Sequence, residues 1–307
     1  MSSQSQITEM SCDIEAGCGA ITKIVHPKEK NLGGFCVRRT LPNQAIKNIG
    51  PFIFFDHMGP ATFAAGEGIN VRPHPHINIA TVTYLFEGEI LHRDSIGSEQ
   101  VIRPGDLNLM VTGSGMVHSE REPSRVKNQV HSVHGLQLWL ALPEQDEEAD
   151  PAFYHYRAQD LPQLEIDGVS VRIMIGTAFK ATSPVKTYSS TLYIESYLKA
   201  GQSLQLPNAA QRGLYVVSGE LKLKNTQITE HSMVVLDANE HVTVTAHKDS
   251  QIALIGGESL GKRYVDWNFV SSNKQRIEQA KQLWNDRQFP EIVNDADEFI
   301  PYPVAGK

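Results

Sequence analysis

The sequence predicts an all-β protein in which two jelly-roll β-barrels share one chain and a short helix follows near the C-terminus. Three observations lead to this fold class: many short segments of strand-forming residues, turns rich in Gly, Pro, Asp and Asn, and one internal repeat. Short strands at close, regular spacing are typical of sandwiches and barrels. A chain of 307 residues is long enough to form two domains of medium size.

The first barrel is predicted from strands that end at well-defined turns. Gly88 and the triplet Pro104, Gly105 and Asp106 interrupt the strand-forming segments. Such residues mark turns, because Gly adopts backbone angles closed to other residues and Pro does not fit a central strand. The expected strands cover residues 81–86, 89–92, 100–103 and 107–111.

The second barrel is predicted from the internal repeat, in which the segment 214–221 echoes the segment 84–90. The matched residues are Tyr84 with Tyr215, Gly88 with Gly219, and Glu89 with Glu220. Because the matched string is short, a chance similarity is the alternative to a duplication. Further strands are expected at residues 232–236, 241–246 and 251–256.

An acidic stretch bounded by prolines separates the two halves. Residues 142–151 have the composition of an exposed crossover between domains. We therefore predict an N-terminal domain at residues 1–143 and a C-terminal domain at residues 144–307. A helix is expected at residues 272–287, where Ser272 and Gln275 have the spacing of a capping box. Its apolar face, which would pack on a barrel, consists of Ile277, Ala280 and Trp284.

Composition and charge argue against several classes of protein. The formal net charge of −7 argues against direct binding to nucleic acid, which needs clustered cations. No run of about eighteen apolar residues occurs, so no membrane-spanning helix is expected. The N-terminus lacks the features of a signal peptide, and Cys12, Cys18 and Cys36 do not suggest a disulfide framework. These features predict a cytoplasmic protein.

Two short segments that contain histidine carry the candidate chemistry. His74 and His76 are two residues apart, as are His118 and Glu120, and alternate residues of a strand point to the same face. If both segments face the interior of the first barrel, three imidazoles and one carboxylate converge there. This set suits a divalent metal ion and leaves positions open for water, dioxygen or a substrate. A single H-x-H is more often an ordinary surface or core pair, and the second pair favours a metal site.

The order of these motifs resembles the two cupin motifs and, more narrowly, is similar to the pirin family. The pattern is H-x-H, then P-G-D, then G-x-x-H. The resemblance extends from about Gly33 to the end of the chain and is strongest before Pro143. The matching stretches are residues 50–57, 73–76, 81–89, 92–95, 104–106, 115–120 and 134–139.

The resemblance to pirins implies a bicupin whose N-terminal domain binds one divalent metal ion per chain. The three His and one Glu ligands of the family match His74, His76, His118 and Glu120. Iron is the expected metal, with nickel, manganese, copper, cobalt and zinc as alternatives. The C-terminal cupin domain is expected to have no metal ligands, because aligning Tyr215 with Tyr84 places Gln205 and Pro207 where the first two His ligands stand.

The resemblance also implies a metal-dependent dioxygenase that acts on flavonols, like quercetin 2,3-dioxygenase, or on related phenolic enols. Glu120 would then be both a ligand and the base that takes the substrate proton. The alternative is a non-enzymatic, redox-responsive regulatory protein that holds a metal, and a redox-inert cupin such as an isomerase is a third hypothesis. We expect a monomer that binds an aromatic small molecule and dioxygen, with a protein partner under the second hypothesis.

Several neighbouring residues have two interpretations. Asp56 and His57 either orient a ligand imidazole or form a turn before Met58. His92 and Asp94 are expected to form a hydrogen-bonded pair at a strand end. His131 and His134 are expected to lie at the rim of the pocket or on the surface.

The first barrel contains three further positions of interest. Gln137 and Trp139 share one face of a strand, which indicates barrel packing or, as the second interpretation, pocket lining. Ala80 stands where many pirins have a Glu, and an unbroken strand after His76 would place it beside the metal. The alternative is a bulge at Asn78 that turns Ala80 into the core.

Overall fold

The computed structural model describes residues 20–31 and 35–303 of the chain. Cys12 and Cys18 lie outside these residues, and Cys36 has a free, exposed thiol. Within the described part of the chain, no helix has the length and apolar character needed to cross a membrane.

The first half of the chain supplies twelve of the described strands and a one-turn helix. In chain order they are β1 (Ile21–Val25), β2 (Lys28–Asn31), β3 (Cys36–Leu41), β4 (Phe52–Phe63), β5 (Asn70–His76), β6 (Ile79–Glu87), β7 (Ile90–Asp94), β8 (Glu99–Ile102), β9 (Leu107–Val111), β10 (Met116–Arg121), α1 (Ser124–Lys127), β11 (His131–Ala141) and β12 (Ala152–Tyr156). These bounds agree with the strands predicted for the first barrel.

The second half has the same character and ends in a longer helix. In chain order its elements are β13 (Gln163–Ile166), β14 (Val169–Ile175), β15 (Thr177–Ala178), β16 (Ala181–Thr182), β17 (Thr191–Leu198), β18 (Ser203–Gln205), β19 (Gln211–Ser218), β20 (Glu220–Leu223), β21 (Thr226–Thr229), β22 (Met233–Leu236), β23 (Thr243–Ala246), β24 (Ser250–Gly257), β25 (Tyr264–Asp266), β26 (Phe269–Ser271) and α2 (Lys274–Asn285). Short 3₁₀ turns connect β11 to β13 at Glu144–Asp146 and Ala158–Asp160.

The two barrels have the same strand order. The large sheet is β12-β9-β6-β11-β4-β3-β2 in the first barrel and β1-β22-β19-β24-β17-β14-β13 in the second. The small sheet is β5-β10-β7-β8 in the first barrel and β18-β23-β20-β21 in the second. The predicted fold class, two jelly-roll barrels with a short C-terminal helix, is therefore confirmed.

The internal repeat agrees with this geometry. Gly88 has φ of +86° and Gly219 has φ of +87°, and each ends a strand before the next one begins. Gly tolerates this left-handed region without the steric cost of a Cβ atom. Tyr84 lies on β6 and Tyr215 lies on β19, which occupy the same place in their sheets. The repeat thus marks equivalent positions of two barrels.

Strands cross between the two halves in both directions. β1 precedes the first barrel, yet it pairs with β22 and completes the large sheet of the second barrel. β12 follows the acidic crossover, yet it pairs with β9 and completes the large sheet of the first barrel. The division of the chain at residues 143 and 144 stays a prediction, and this exchange ties the two predicted domains together.

The barrels are also joined by a shared apolar core. The hydrophobic side chains of this interbarrel core come from the outer faces of both large sheets. The first barrel contributes Leu41, Phe52, Phe55, Ala80, Val82, Leu136 and Leu138, and the second contributes Ile175, Tyr193, Val217 and Ile255. Each fully buried side chain of this size stabilises the folded state by about 1.5–3 kcal/mol. Apolar burial therefore holds the two barrels against each other.

The C-terminal helix packs on the first barrel. The apolar face of α2 is confirmed, because Ile277, Ala280 and Trp284 are buried against Ile77 and Val117. The predicted cap was wrong. The side chain of Asn273 caps the helix by accepting from the backbone N–H of Gln275. Ser272 instead donates to the buried carboxylate of Glu147, which offers a stronger, charged acceptor.

Candidate metal centre

Three imidazoles meet inside the first barrel, where β5 and β10 lie side by side. His118 pairs with His74 and Met116 pairs with His76 in the antiparallel ladder, so the three histidines point to one face. Their side chains are almost fully buried. One ring nitrogen from each of them falls within 4.8 Å of the others. The strand spacing therefore brings three of the four predicted ligands together.

Hydrogen bonds orient two of the rings. The Nδ1 of His74 lies 2.8 Å from the carbonyl oxygen of Arg72, and the Nδ1 of His76 lies 3.1 Å from that of Asn268. A carbonyl oxygen can only accept, so each Nδ1 carries the hydrogen and each Nε2 keeps a free lone pair. This is the arrangement found in most histidines that bind metal ions.

His118 gives the most direct indication that a cation fits here. Both of its ring nitrogens are buried, and neither has a hydrogen-bond partner among the described residues. A buried polar group without a partner is costly, and such groups in native proteins call for an explanation. A metal ion bound by one ring nitrogen would satisfy that nitrogen.

The rings are poised to bind a cation. Burial lowers the pKa of His74 to about 4, and it holds the pKa values of His76 and His118 well below the ordinary range. The three imidazoles are therefore neutral at pH 7. Neutral imidazole is the form that binds a metal ion, so no proton has to leave first.

Glu120 lies one pleat beyond His118 on the same strand and faces the same interior. Its carboxylate is not among the groups that lie within 4.8 Å of one another, and the hydroxyl of Thr83 lies 3.2 Å from its Oε1. The same hydroxyl lies 2.9 Å from Oε1 of Gln137. Burial raises the pKa of the Glu120 carboxyl, and the hydrogen bond from Thr83 opposes this shift. Ligation by Glu120 stays a prediction.

An aromatic wall bounds the metal-facing side of the barrel. The ring of Trp139 contacts His76 edge-on at 4.8 Å between centroids, and its other side stacks on Phe54 at 4.0 Å. Arg39 covers the far face of Phe54 at 4.3 Å and forms a two-pronged ion pair with Asp56. Trp139 thus lines the site, which was the second of its two interpretations.

Asp56 and His57 differ from both expectations, because they lie within the long strand β4 and contact no candidate ligand in the described residues. Asp56 holds Arg39. His57 points to the interbarrel side, where its Nδ1 lies 2.9 Å from the Tyr215 hydroxyl and its Nε2 lies 2.7 Å from Nε2 of His134. Burial is the main cause that lowers the pKa of His57 to about 2.

The prediction that Ala80 faces the metal was wrong. Asn78 has φ of +60°, and the chain leaves one strand at His76 and enters the next at Ile79. This break shifts the alternation by one residue, so that Thr83 faces the metal and Ala80 packs in the interbarrel core. A slip of one residue exchanges the two faces of a strand.

His92 behaves as predicted. Its Nε2 lies 2.9 Å from the carboxylate of Asp94 at the end of β7. The ring stacks on Phe153 at 4.3 Å and lies 5.4 Å from the ring of His118. His92 therefore packs next to the candidate ligands, with Asp94 as its partner.

Two contributors to the site were missed from the sequence. Thr83 could have been found, because Thr81 and Thr83 alternate with apolar residues in a buried strand. Phe153 gave no signal, since it belongs to β12 and reaches the first barrel only through the strand exchange.

The second barrel has an aliphatic interior at the equivalent place. Gln205 is exposed and Pro207 is half-buried, so neither stands in place of a ligand imidazole. The inward-facing residues of β18, β23 and the loops beside them are Leu204, Leu206, Val242, Val244 and Ala246. The alignment was shifted by one residue, yet neither register supplies an imidazole. The absence of a metal from this barrel stays a prediction.

Comparisons with known proteins agree with this architecture. Residues 34–140 match the family model Pirin, and residues 193–290 match the model of the Pirin C-terminal cupin domain. A pirin-like protein of Caulobacter vibrioides is 42% identical over 92% of this chain and 99% of its own length. Pirin of Homo sapiens is 31% identical over 85% of this chain and 90% of its own length. The crystal structure of a quercetin 2,3-dioxygenase from Acinetobacter baumannii has a TM-score of 0.86 and 32% identity, and the match covers 92% of this chain and 95% of that one. Both family models match, and the similarity to relatives extends over nearly the whole chain. This chain therefore belongs to the pirin family.

Proposed function

We propose that this chain is a metal-dependent dioxygenase that acts on flavonols or related phenolic enols. One divalent metal ion would be held by His74, His76, His118 and Glu120. The observation that carries the proposal is the cluster of three neutral imidazoles, including the unpartnered ring of His118. The similarity to a solved quercetin 2,3-dioxygenase over nearly the whole chain supports the choice of reaction.

The chain's own residues have separable roles in this proposal. A bound metal ion would supply Lewis acidity that stabilises a deprotonated hydroxyl of the substrate. The carbonyl oxygens of Arg72 and Asn268 hold the rings of His74 and His76 in the ligating tautomer. Glu120 takes the substrate proton onto a carboxylate oxygen that is not bound to the metal ion.

The aromatic wall matches a planar substrate. Trp139 is partly accessible, although it faces the barrel interior, and Phe54 supports it from behind. A flat phenolic ring can stack or pack edge-on against such a surface, because aromatic pairs attract at these separations. In this proposal the aromatic wall orients the substrate, and Glu120 accepts its proton.

The ligand types restrict the metal without fixing it. Three imidazoles and a carboxylate suit iron, and they also accept nickel, manganese, copper, cobalt or zinc. Iron is the proposed metal because dioxygen chemistry favours an ion with accessible redox states. We also propose a cytoplasmic, monomeric protein, in keeping with the sequence.

Metal analysis and oxygen consumption together test the proposal. Purified protein is analysed for bound metals, and oxygen uptake with quercetin is followed for the wild type and for His118→Ala. His247→Ala is the matched control, since His247 is an exposed histidine of the second barrel. We expect about one metal per chain and oxygen uptake that His118→Ala abolishes and the control keeps. Loaded protein without flavonol-dependent uptake would overturn the enzyme hypothesis and favour the regulatory alternative.

A further inference from the structure

A second concave site lies apart from the metal centre, at the junction of the two barrels. This junction cleft has a volume of about 530 Å³, which falls within the range of small-molecule sites, roughly 300–1,000 Å³. It opens between the β3–β4 connection, the end of β11 and the segment 258–263 that leads from the second barrel to β25. Five of its eleven lining residues have apolar side chains: Pro42, Ile53, Ala141, Leu260 and Val265.

The charged residues of the junction cleft are all cationic. Lys47, Lys262 and Arg263 line it, and none of its lining residues is a carboxylate. Arg263 is already neutralised, because its guanidinium lies 2.8 Å from Glu147 and 3.8 Å from the exposed Glu144. The ammonium groups of Lys47 and Lys262 are therefore the two remaining cations of the lining, and no lining residue is a carboxylate.

The wall that carries Lys262 is held in place. Arg263 donates to the carbonyl oxygen of Leu260 at 2.7 Å and to that of Leu142 at 2.9 Å, so the connecting segment is fixed to the first barrel. The ammonium of Lys262 lies 4.9 Å from the ring centroid of Tyr264. A site that is already shaped loses less conformational entropy on binding.

We propose that the junction cleft binds a planar aromatic carboxylate, separately from the metal centre. The apolar floor matches an aromatic ring, and the two ammonium groups match a carboxylate at its edge. Val265 is 52% exposed at the cleft, and a bound ring would cover this apolar side chain. A cationic or neutral ligand would leave the positive charge without a counter-ion.

Fluorescence titration with anilinonaphthalene sulfonate, an aromatic anion that brightens in apolar sites, tests the proposal. The test variant carries Lys47→Glu and Lys262→Glu. The control variant carries Lys199→Glu and Lys222→Glu, which make the same change of charge at exposed positions on the second barrel. We expect the dissociation constant to rise at least tenfold in the test variant and to stay within twofold in the control. Equal weakening in both would overturn the proposal, because it would show a general charge effect.

Four further measurements locate the probe. Val265→Asp places a carboxylate in the cleft lining and should also weaken binding, whereas the neutral probe N-phenyl-1-naphthylamine should not respond to the lysine changes. His118→Ala should leave the anionic probe bound, and its loss in that variant would place the probe in the first barrel and overturn the proposal. Benzoate and naphthoate should displace the probe. Since none of these readouts uses oxygen or metal, failure of the dioxygenase hypothesis would leave them unaffected.

Discussion

The two barrels share one strand order but differ in the side chains that line the inward faces of their small sheets. β5 and β10 of the first barrel present His74, His76 and His118, whereas β18 and β23 of the second present leucine and valine. The hydrogen-bond ladders are alike, because backbone pairing does not depend on side-chain chemistry. A barrel of this kind therefore accepts either a polar site or an apolar core, and the inward residues alone decide which it carries.

This difference also divides the sources of stability. The second barrel is stabilised by its own interior, where aliphatic side chains of both sheets are fully buried. The interior of the first barrel combines the polar metal-facing groups with an apolar cluster that includes Met58, Leu85 and Ile90. This barrel is further stabilised by the interbarrel core and by the apolar contact with α2. Changes at equivalent positions should therefore have different consequences, and five predictions test this.

The largest effect is expected on bound metal. His76→Ala and Glu120→Ala should each lose most of the metal, because a site with one ligand fewer binds more weakly by tenfold or more. Folding should be kept, since the interbarrel core is untouched. Elemental analysis and circular dichroism measure the two properties. Unchanged metal content in both variants would show that the ligands were assigned wrongly.

A charge at Ala80 should affect folding more than the metal site. Ala80→Glu buries a carboxylate without a partner in the interbarrel core, and we expect the free energy of unfolding to fall by about 3–5 kcal/mol. Urea titration measures this change. Thr81→Glu is the contrasting variant, because the side chain of Thr81 lies on the opposite face of β6 from that of Ala80. A well-folded Ala80→Glu protein with reduced flavonol turnover would contradict the orientation described above.

Truncation inside the second barrel should lower stability without any effect on metal content. Leu204→Ala removes a fully buried side chain, and we expect a loss of about 2–5 kcal/mol from the free energy of unfolding. His74→Ala, in the equivalent strand of the first barrel, should show the reverse pattern. Denaturant melts of metal-free protein make the comparison direct, and equal losses would refute the division of roles.

The equivalent tyrosines predict opposite responses to pH. Tyr215 contacts His57, whose folded pKa of about 2 lies far below its ordinary 6.5. The unfolded chain therefore binds the extra proton first, and stability should fall as pH drops below 6.5, by about 2 kcal/mol at pH 5. His57→Gln should flatten this dependence in urea melts at several pH values.

Tyr84 donates instead to Glu195, whose carboxyl has its pKa raised, chiefly by burial. A raised folded pKa gives stability that is complete below the ordinary pKa of a Glu and is lost as pH rises through the folded value. Glu195→Gln should therefore remove a dependence of the opposite sign. If the free energy of unfolding of His57→Gln and of Glu195→Gln depended on pH with the same slope, the contrast between the two contacts would be contradicted.

The smallest effect is expected for Thr83. Thr83→Val removes the hydroxyl that reaches Glu120 but keeps the shape of the side chain. Residues that orient a ligand usually change metal affinity by about 10–100-fold, and we expect the lower end of this range. Thr83→Ser should keep most of the affinity in a competition titration with a chelator. Equal affinity of the wild type and Thr83→Val would show that the hydroxyl does not orient Glu120.

Local patterns in the sequence predicted most of the fold and three converging imidazoles. The turn at Gly88 and the spacing of His74 and His76 depend on neighbouring residues only, so they could be recognised without a structure. The error at Ala80 came from a single left-handed residue, Asn78, which reverses the faces of everything that follows. A polar residue such as Asn adopts this conformation at low cost, and its neighbours gave no further sign.

The pairing of strands that lie far apart in the chain could not be predicted from the sequence. Nothing near β1 indicates that it joins β22, about two hundred residues further along, because the partner of an edge strand is chosen by the assembled sheet. The contact between Glu120 and Thr83 likewise depends on how the two sheets of the barrel meet. The sequence could therefore place the ligand histidines but not the groups around them.

The exchange of β1 and β12 limits how such a protein can be divided or rebuilt. A cut at the acidic crossover would leave β9 without β12 and β22 without β1. Each fragment would expose an unpaired sheet edge, which is a template for aggregation. The fragments could still complement each other if they were produced together, since each carries the strand that the other lacks. Two barrels that each fold alone would therefore require β1 and β12 to change places in the gene.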